Sequence, residues 1–137
     1  DGDLYSIKNV PKYVLLRLDA MLSDGEAKYD HEVVSIEHVL PQSPAADSEW
    51  CQNFPDALER EIAVHRLGNL VLLSHRKNSS AQNYDFEKRK TKYFLSKGKV
   101  SPFAITTQVL REKCWTPEVI ARRQNDLMAR LKSLWRL

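Results

Sequence analysis

The sequence predicts an α+β domain, mainly α. Three observations carry this: two short β-rich apolar runs at 31–39 and 69–73 lie far apart, a basic segment of helical character follows the second, and both ends of the chain show helical periodicity. At 137 residues and 42% hydrophobic composition the chain suits one compact domain, 1–137, with a real core.

The elements follow in order. Over 10–22, Val10, Val14, Leu18, Met21 and Leu22 recur on one face of a helix, and Pro11 is tolerated in its first turn. Asp24-Gly25 ends it. The stretch 31–39 holds Val33, Val34, Ile36 and Val39 and is closed by Pro41, which has no N–H to extend a ladder. This is the first strand, with Glu37 and His38 near its end. One or two short helices are expected over 44–63, the clearest from Pro55 onward. Gly68 breaks that segment, and 69–73 reads as a short buried strand paired with the first.

After a polar turn region at 74–82, Asn83 or Asp85 would cap a helix running to about Lys97. Phe86, Lys90, Tyr93 and Phe94 share one face of it, and Lys88, Arg89 and Lys92 line the others. Thr116-Pro117-Glu118 is a strong start for a last helix reaching about Leu134. The order strand, long connection, strand, helix therefore emerges from the residues alone.

Composition narrows the function. No apolar run approaches the length of a membrane span, and the start at Asp1 lacks the pattern of a secretory leader. Cys51 and Cys114 show no C-x-x-C spacing, so neither a zinc knuckle nor a disulfide framework is indicated. A reduced, cytoplasmic chain cut from a larger protein is the simplest reading. The net charge of +3 hides an asymmetry: residues 1–75 carry −7 and residues 76–137 carry +10. Eight basic side chains lie within 76–99, against only Asp85 and Glu87, which suggests a polyanionic partner. Arg76, Lys77, Lys88, Arg89 and Lys92 are the candidate phosphate contacts, expected to position a backbone rather than read bases.

Glu37-His38, Asn69 and Asn78 form the candidate constellation. Hydrolysis of a phosphodiester needs a base to activate water and positive charge on the developing pentavalent phosphate. An ordinary imidazole is largely neutral at pH 7 and close to the pKa that general-base catalysis favours, so His38 is the natural base. The Glu37 carboxylate and the Asn78 amide offer hard oxygen donors suited to one Mg²⁺ or Mn²⁺ ion. Each has a plainer reading: Gly68-Asn69 is also a turn signal, and Asn78 is also a favoured helix cap.

The runs 36–42 (IEHVLPQ) and 67–73 (LGNLVLL), with Asn78-Ser79-Ser80, resemble an HNH nuclease. More narrowly they resemble the C-terminal HNH domain of GmrSD-type modification-dependent restriction enzymes. Asn83, Phe86, Lys88 and Tyr93, then Trp115, Ile120, Arg123, Leu127 and Trp135, extend the likeness to most of the chain.

The resemblance implies a ββα-metal (His-Me finger) core over about 31–97, with flanking N- and C-terminal helices. Within it His38 would be the general base, Glu37 and Asn78 the metal ligands, and Asn69 a brace on the loop that carries the base. Many HNH domains have Asp where Glu37 stands, and many carry a structural zinc whose cysteines this chain lacks. The implied role is the DNA-cleaving effector of an anti-phage restriction protein. The target would be phage DNA, possibly modified, and an N-terminal nucleotide-hydrolysing or sensing domain would be its covalent partner. A catalytically silent DNA-binding module of the same fold and an RNA-directed HNH nuclease are the alternatives.

Overall fold

The computed structural model describes residues 12–22, 35–73, 84–90 and 103–135. It is mostly helical, with one two-stranded antiparallel sheet, which is the α+β, mainly helical class the sequence predicts. The elements are α1 (Lys12–Leu22), β1 (Ser35–His38), α2 (Glu49–Asn53), α3 (Ala57–Val64), a 3₁₀ turn (Leu67–Asn69), β2 (Leu70–Leu73), α4 (Phe86–Arg89), α5 (Ala104–Leu110) and α6 (Pro117–Trp135). Among the described residues no helix is long and apolar enough to cross a membrane.

Capping explains the short helices in the middle of the chain. The Ser48 hydroxyl accepts from the Cys51 N–H at the start of α2, and Asp56 Oδ1 accepts from the Glu59 N–H at the start of α3. Each satisfies a donor that the first helical turn leaves without an intrahelical partner. Pro55, from which a helix was expected, lies in the break between them, and Asp56 is the cap. Asp85 stands at the N-cap of α4 without a side-chain capping bond. At α6 the Thr116 hydroxyl accepts from the Val119 N–H, and Pro117 occupies the first helical position.

β1 and β2 pair in the register Ser35↔Leu73, Ile36↔Leu72, Glu37↔Val71 and His38↔Leu70. Every residue of β2 is buried, because the strand is covered on both faces. Val71 and Leu73 join one apolar cluster with Trp50, Phe54, Phe86 and Trp115, while Leu70 and Leu72 join a second with Leu15, Leu18, Phe103 and Leu127. Alternate side chains of a strand point to opposite faces, so a wholly apolar run is what a doubly covered strand requires.

The outer edge of β2 is closed by a side chain. Thr106 of α5 donates its hydroxyl to the Leu72 carbonyl at 2.6 Å and accepts from the Leu72 N–H at 3.1 Å. It thereby supplies both halves of a missing ladder rung at a buried position. α5 is held in turn by α1, where the buried Asp19 Oδ1 accepts from the Ile105 N–H at 2.8 Å.

α6 lies directly on the 3₁₀ turn. A Cβ at Gly68 would sit 2.5 Å from the Ile120 carbonyl oxygen and 2.8 Å from the Gln124 backbone nitrogen. Only glycine permits this approach, which the two helix residues exploit. Gln124 Oε1 accepts from the Gly68 N–H at 2.7 Å, and Arg123 Nε donates to the Gly68 carbonyl at 3.0 Å.

Two expectations are adjusted by these elements, and two others fall partly outside the described residues. Residues 67–69 form a 3₁₀ turn, so the second strand begins at Leu70 rather than Asn69. α5 fills a stretch to which the sequence reading assigned no element. The first strand is described from Ser35 and α4 over Phe86–Arg89; the expected strand residues 31–34 and the expected helix over 91–97 lie outside the described residues.

Candidate active site

The candidate site is built where β1 ends. His38 is the last residue of the strand, and Val39 and Leu40, which follow it, are fully buried. The Val39 N–H donates to the Asn69 carbonyl at 2.9 Å, extending the pairing one step past the strand. The buried Asn69 side chain then takes hold of the next residue. Its Oδ1 accepts from the Leu40 N–H at 2.8 Å, and its Nδ2 donates to the Leu40 carbonyl at 3.1 Å.

The same amide makes two further bonds. Nδ2 donates to the Val64 carbonyl at 3.0 Å, and Oδ1 accepts from Trp115 Nε1 at 2.9 Å. Two donors and two acceptor positions are all that an asparagine side chain offers, so its hydrogen-bonding capacity is filled. The loop after His38, the end of α3 and Trp115, two residues before α6, are tied through one amide.

His38 is half-buried between His65 and Arg89. Its ring centroid lies 5.9 Å from that of His65, the C-cap residue of α3, in an edge-to-face arrangement. Its backbone carbonyl accepts a 2.8 Å hydrogen bond from Arg89 Nη2. Burial, then the neighbouring His65, then the Arg89 charge lower the imidazole to about 4. Each acts against the imidazolium, so the ring is neutral at pH 7 and, as it stands, less basic than the ordinary imidazole on which the sequence argument rested.

Glu37 precedes His38 and pairs with Val71. Neighbouring strand residues send their side chains in opposite directions, so carboxylate and imidazole diverge from the backbone. Asn78, the second expected metal ligand, lies outside the described residues, as do Arg76, Lys77 and Lys92. Among the described residues no group of three or more His, Cys, Asp or Glu side chains converges as a cation site.

The two remaining expected phosphate contacts separate sharply. Lys88 is exposed, with Nζ 4.2 Å from the centroid of the Tyr84 ring. Arg89 is 1% exposed, and its guanidinium is turned inward onto the His38 carbonyl. Counting Arg89 among surface contacts is therefore corrected: on a short helix, adjacent positions lie about 100° apart, and Arg89 falls on the buried face with Phe86. A run of three basic residues carries no phase that reveals this.

His65 and Trp115 belong to the site although neither is among the residues of the candidate constellation. Nothing in the spacing brings His65 beside His38, because the approach depends on how α3 docks. The indole N–H of Trp115 is a donor that a buried site must satisfy, and that requirement was the available signal. Trp50 is fully buried and donates from Nε1 to the Tyr84 carbonyl at 2.9 Å.

Comparison with curated proteins returns no match. A family model described as the C-terminal domain of GmrSD restriction endonucleases matches residues 2–130, nearly the whole chain, and the chain belongs to that family.

Proposed function

We propose that this domain is a metal-dependent endonuclease of the HNH type that hydrolyses phosphodiester bonds in DNA, with His38 as the general base. The family supports a nuclease domain of a restriction endonuclease. The observation that carries the finer reading is the treatment of the backbone after His38. A buried amide with every bond filled holds Leu40, while Arg89 holds the His38 carbonyl itself. A base must be kept within about 3 Å of the water it activates, and such support is the physical means of doing so.

His38 would take a proton from the attacking water at its ring nitrogen. The ring is neutral at pH 7 with its pKa lowered to about 4, and an approaching anionic phosphate would raise its affinity for that proton. Glu37 and Asn78 would hold one Mg²⁺ or Mn²⁺ ion, since a carboxylate and an amide oxygen are hard donors that leave positions for water and phosphate. When bound, that ion supplies positive charge to the transition state and the leaving oxygen. Lys88, with Arg76, Lys77 and Lys92, would position the DNA backbone.

In the parent restriction system this domain would be the cutting effector. Sensing of modified phage DNA and nucleotide hydrolysis would belong to a partner domain. The test is nicking of supercoiled plasmid with Mg²⁺ or Mn²⁺ by the wild type, His38→Ala and an EDTA-treated sample. Cleavage only by the metal-supplied wild type is expected; undiminished cleavage by His38→Ala removes the proposed base.

A further inference from the structure

Trp115 lies far from β1 in sequence, 46 positions after Asn69, yet its indole N–H is bonded to the same oxygen that receives the Leu40 N–H. The Asn69 amide has two possible orientations related by exchange of its oxygen and nitrogen. With the oxygen facing Leu40 N and Trp115 Nε1, every contact pairs a donor with an acceptor. In the exchanged orientation the amide NH₂ would confront the Trp115 N–H, which can only donate. The Leu40 N–H and the Leu40 and Val64 carbonyls favour the same orientation, and Trp115 is the side-chain contact that completes it on the amide gripping the residue two beyond His38.

The indole is itself held from α6. The Arg123 guanidinium carbon lies 5.7 Å from the Trp115 ring, and the same guanidinium donates to the Gly68 carbonyl, one residue before Asn69. Arg123 is 5% exposed; burial lowers it to about 10, which leaves it charged at neutral pH. α6 thus reaches the strand exit along two routes that meet at Asn69.

We infer that Trp115 is a positioning residue: its indole N–H completes the bonding of the Asn69 amide, holds it in place together with the Leu40 and Val64 backbone and, through it, steadies the backbone that presents His38. The inference rests on the proposed hydrolytic role of His38 for its kinetic consequence, but its geometric content stands separately. A built-in comparison is available, because Trp50 is equally buried, lies in the same apolar cluster and donates its indole N–H to a backbone carbonyl rather than to Asn69.

The experiment compares Trp115→Phe with Trp50→Phe. It also uses chains carrying benzothienylalanine at either position, a residue that keeps the bicyclic shape and lacks the N–H. Plasmid nicking is followed for kcat and KM. The Asn69 side-chain amide, the Leu40 amide and the His38 ring are followed by NMR. Loss of the donor at 115 is expected to lower kcat by roughly tenfold or more with KM unchanged, as a misplaced base would.

The Asn69, Leu40 and His38 signals should shift with the analogue at 115 and stay in place with the analogue at 50. Equal effects at the two positions, or unshifted Asn69 and His38 signals in the analogue at 115, would overturn the inference. Should the wild type fail to nick with any divalent ion, the hydrolytic reading falls, while the spectra still decide whether Trp115 steadies Asn69 and His38.

Discussion

Arg89 Nη2 lies 2.8 Å from the backbone carbonyl oxygen of His38, with the guanidinium buried behind the strand rather than displayed on the surface. Arg89 and Lys88 are neighbours in a basic run, yet they face different problems. Arg89→Met should lower stability by about 1–3 kcal/mol, because the part-buried His38 carbonyl loses its charged donor. Lys88→Ala should leave stability within about 0.5 kcal/mol of wild type and lower the slope of log affinity against log salt by about one. Urea unfolding and DNA binding titrated over salt check both. A Lys88 variant with an unchanged salt slope would remove it from the phosphate contacts.

Asn69→Ala removes four buried hydrogen bonds and strands groups on Leu40, Val64 and Trp115. Each abandoned buried group costs about 1–3 kcal/mol, and the groups share one neighbourhood, so the total is less than their sum. A loss of roughly 4 kcal/mol or more is expected in denaturant unfolding at pH 7. Asn69→Asp should also be destabilised, since a carboxylate cannot donate to the Leu40 and Val64 carbonyls. A melting temperature unchanged in either variant contradicts the brace.

Gly68→Ala tests the seating of α6. The new Cβ would fall 2.5 Å from the Ile120 carbonyl oxygen, a contact with backbone that no side-chain rotation relieves. Overpacking of this kind costs about 1–3 kcal/mol, and here it also pries apart the bonds from Arg123 and Gln124. Nicking should fall together with thermal stability. Wild-type stability would show that α6 moves away freely.

Stability should depend on pH through His38. Its folded value near 4 is below the unfolded value of 6.5, so between these limits the unfolded chain binds a proton that the native ring refuses. The sign follows: the native state loses stability as pH falls from about 6.5 toward 4, by roughly 3 kcal/mol at most when the full difference is expressed. Urea midpoints at pH 7 and pH 4.5, compared between wild type and His38→Gln, isolate the contribution. A pH dependence as steep in the variant assigns it to other groups.

The amino-acid sequence determined the fold class, the strand pair around Glu37-His38 and 70–73, the start of α6 at Thr116-Pro117 and the family resemblance. These are local properties: alternation, capping chemistry and turn residues act over a few positions, and motif spacing is written in the chain. Tertiary structure alone decided that Arg89 turns inward, that His65 stands beside His38, that Thr106 closes the edge of β2 and that Trp115 meets Asn69. Those relationships join residues 27 to 51 positions apart. They exist because a buried polar group must find a partner wherever packing of the apolar faces happens to bring one, and that packing is a property of the whole chain.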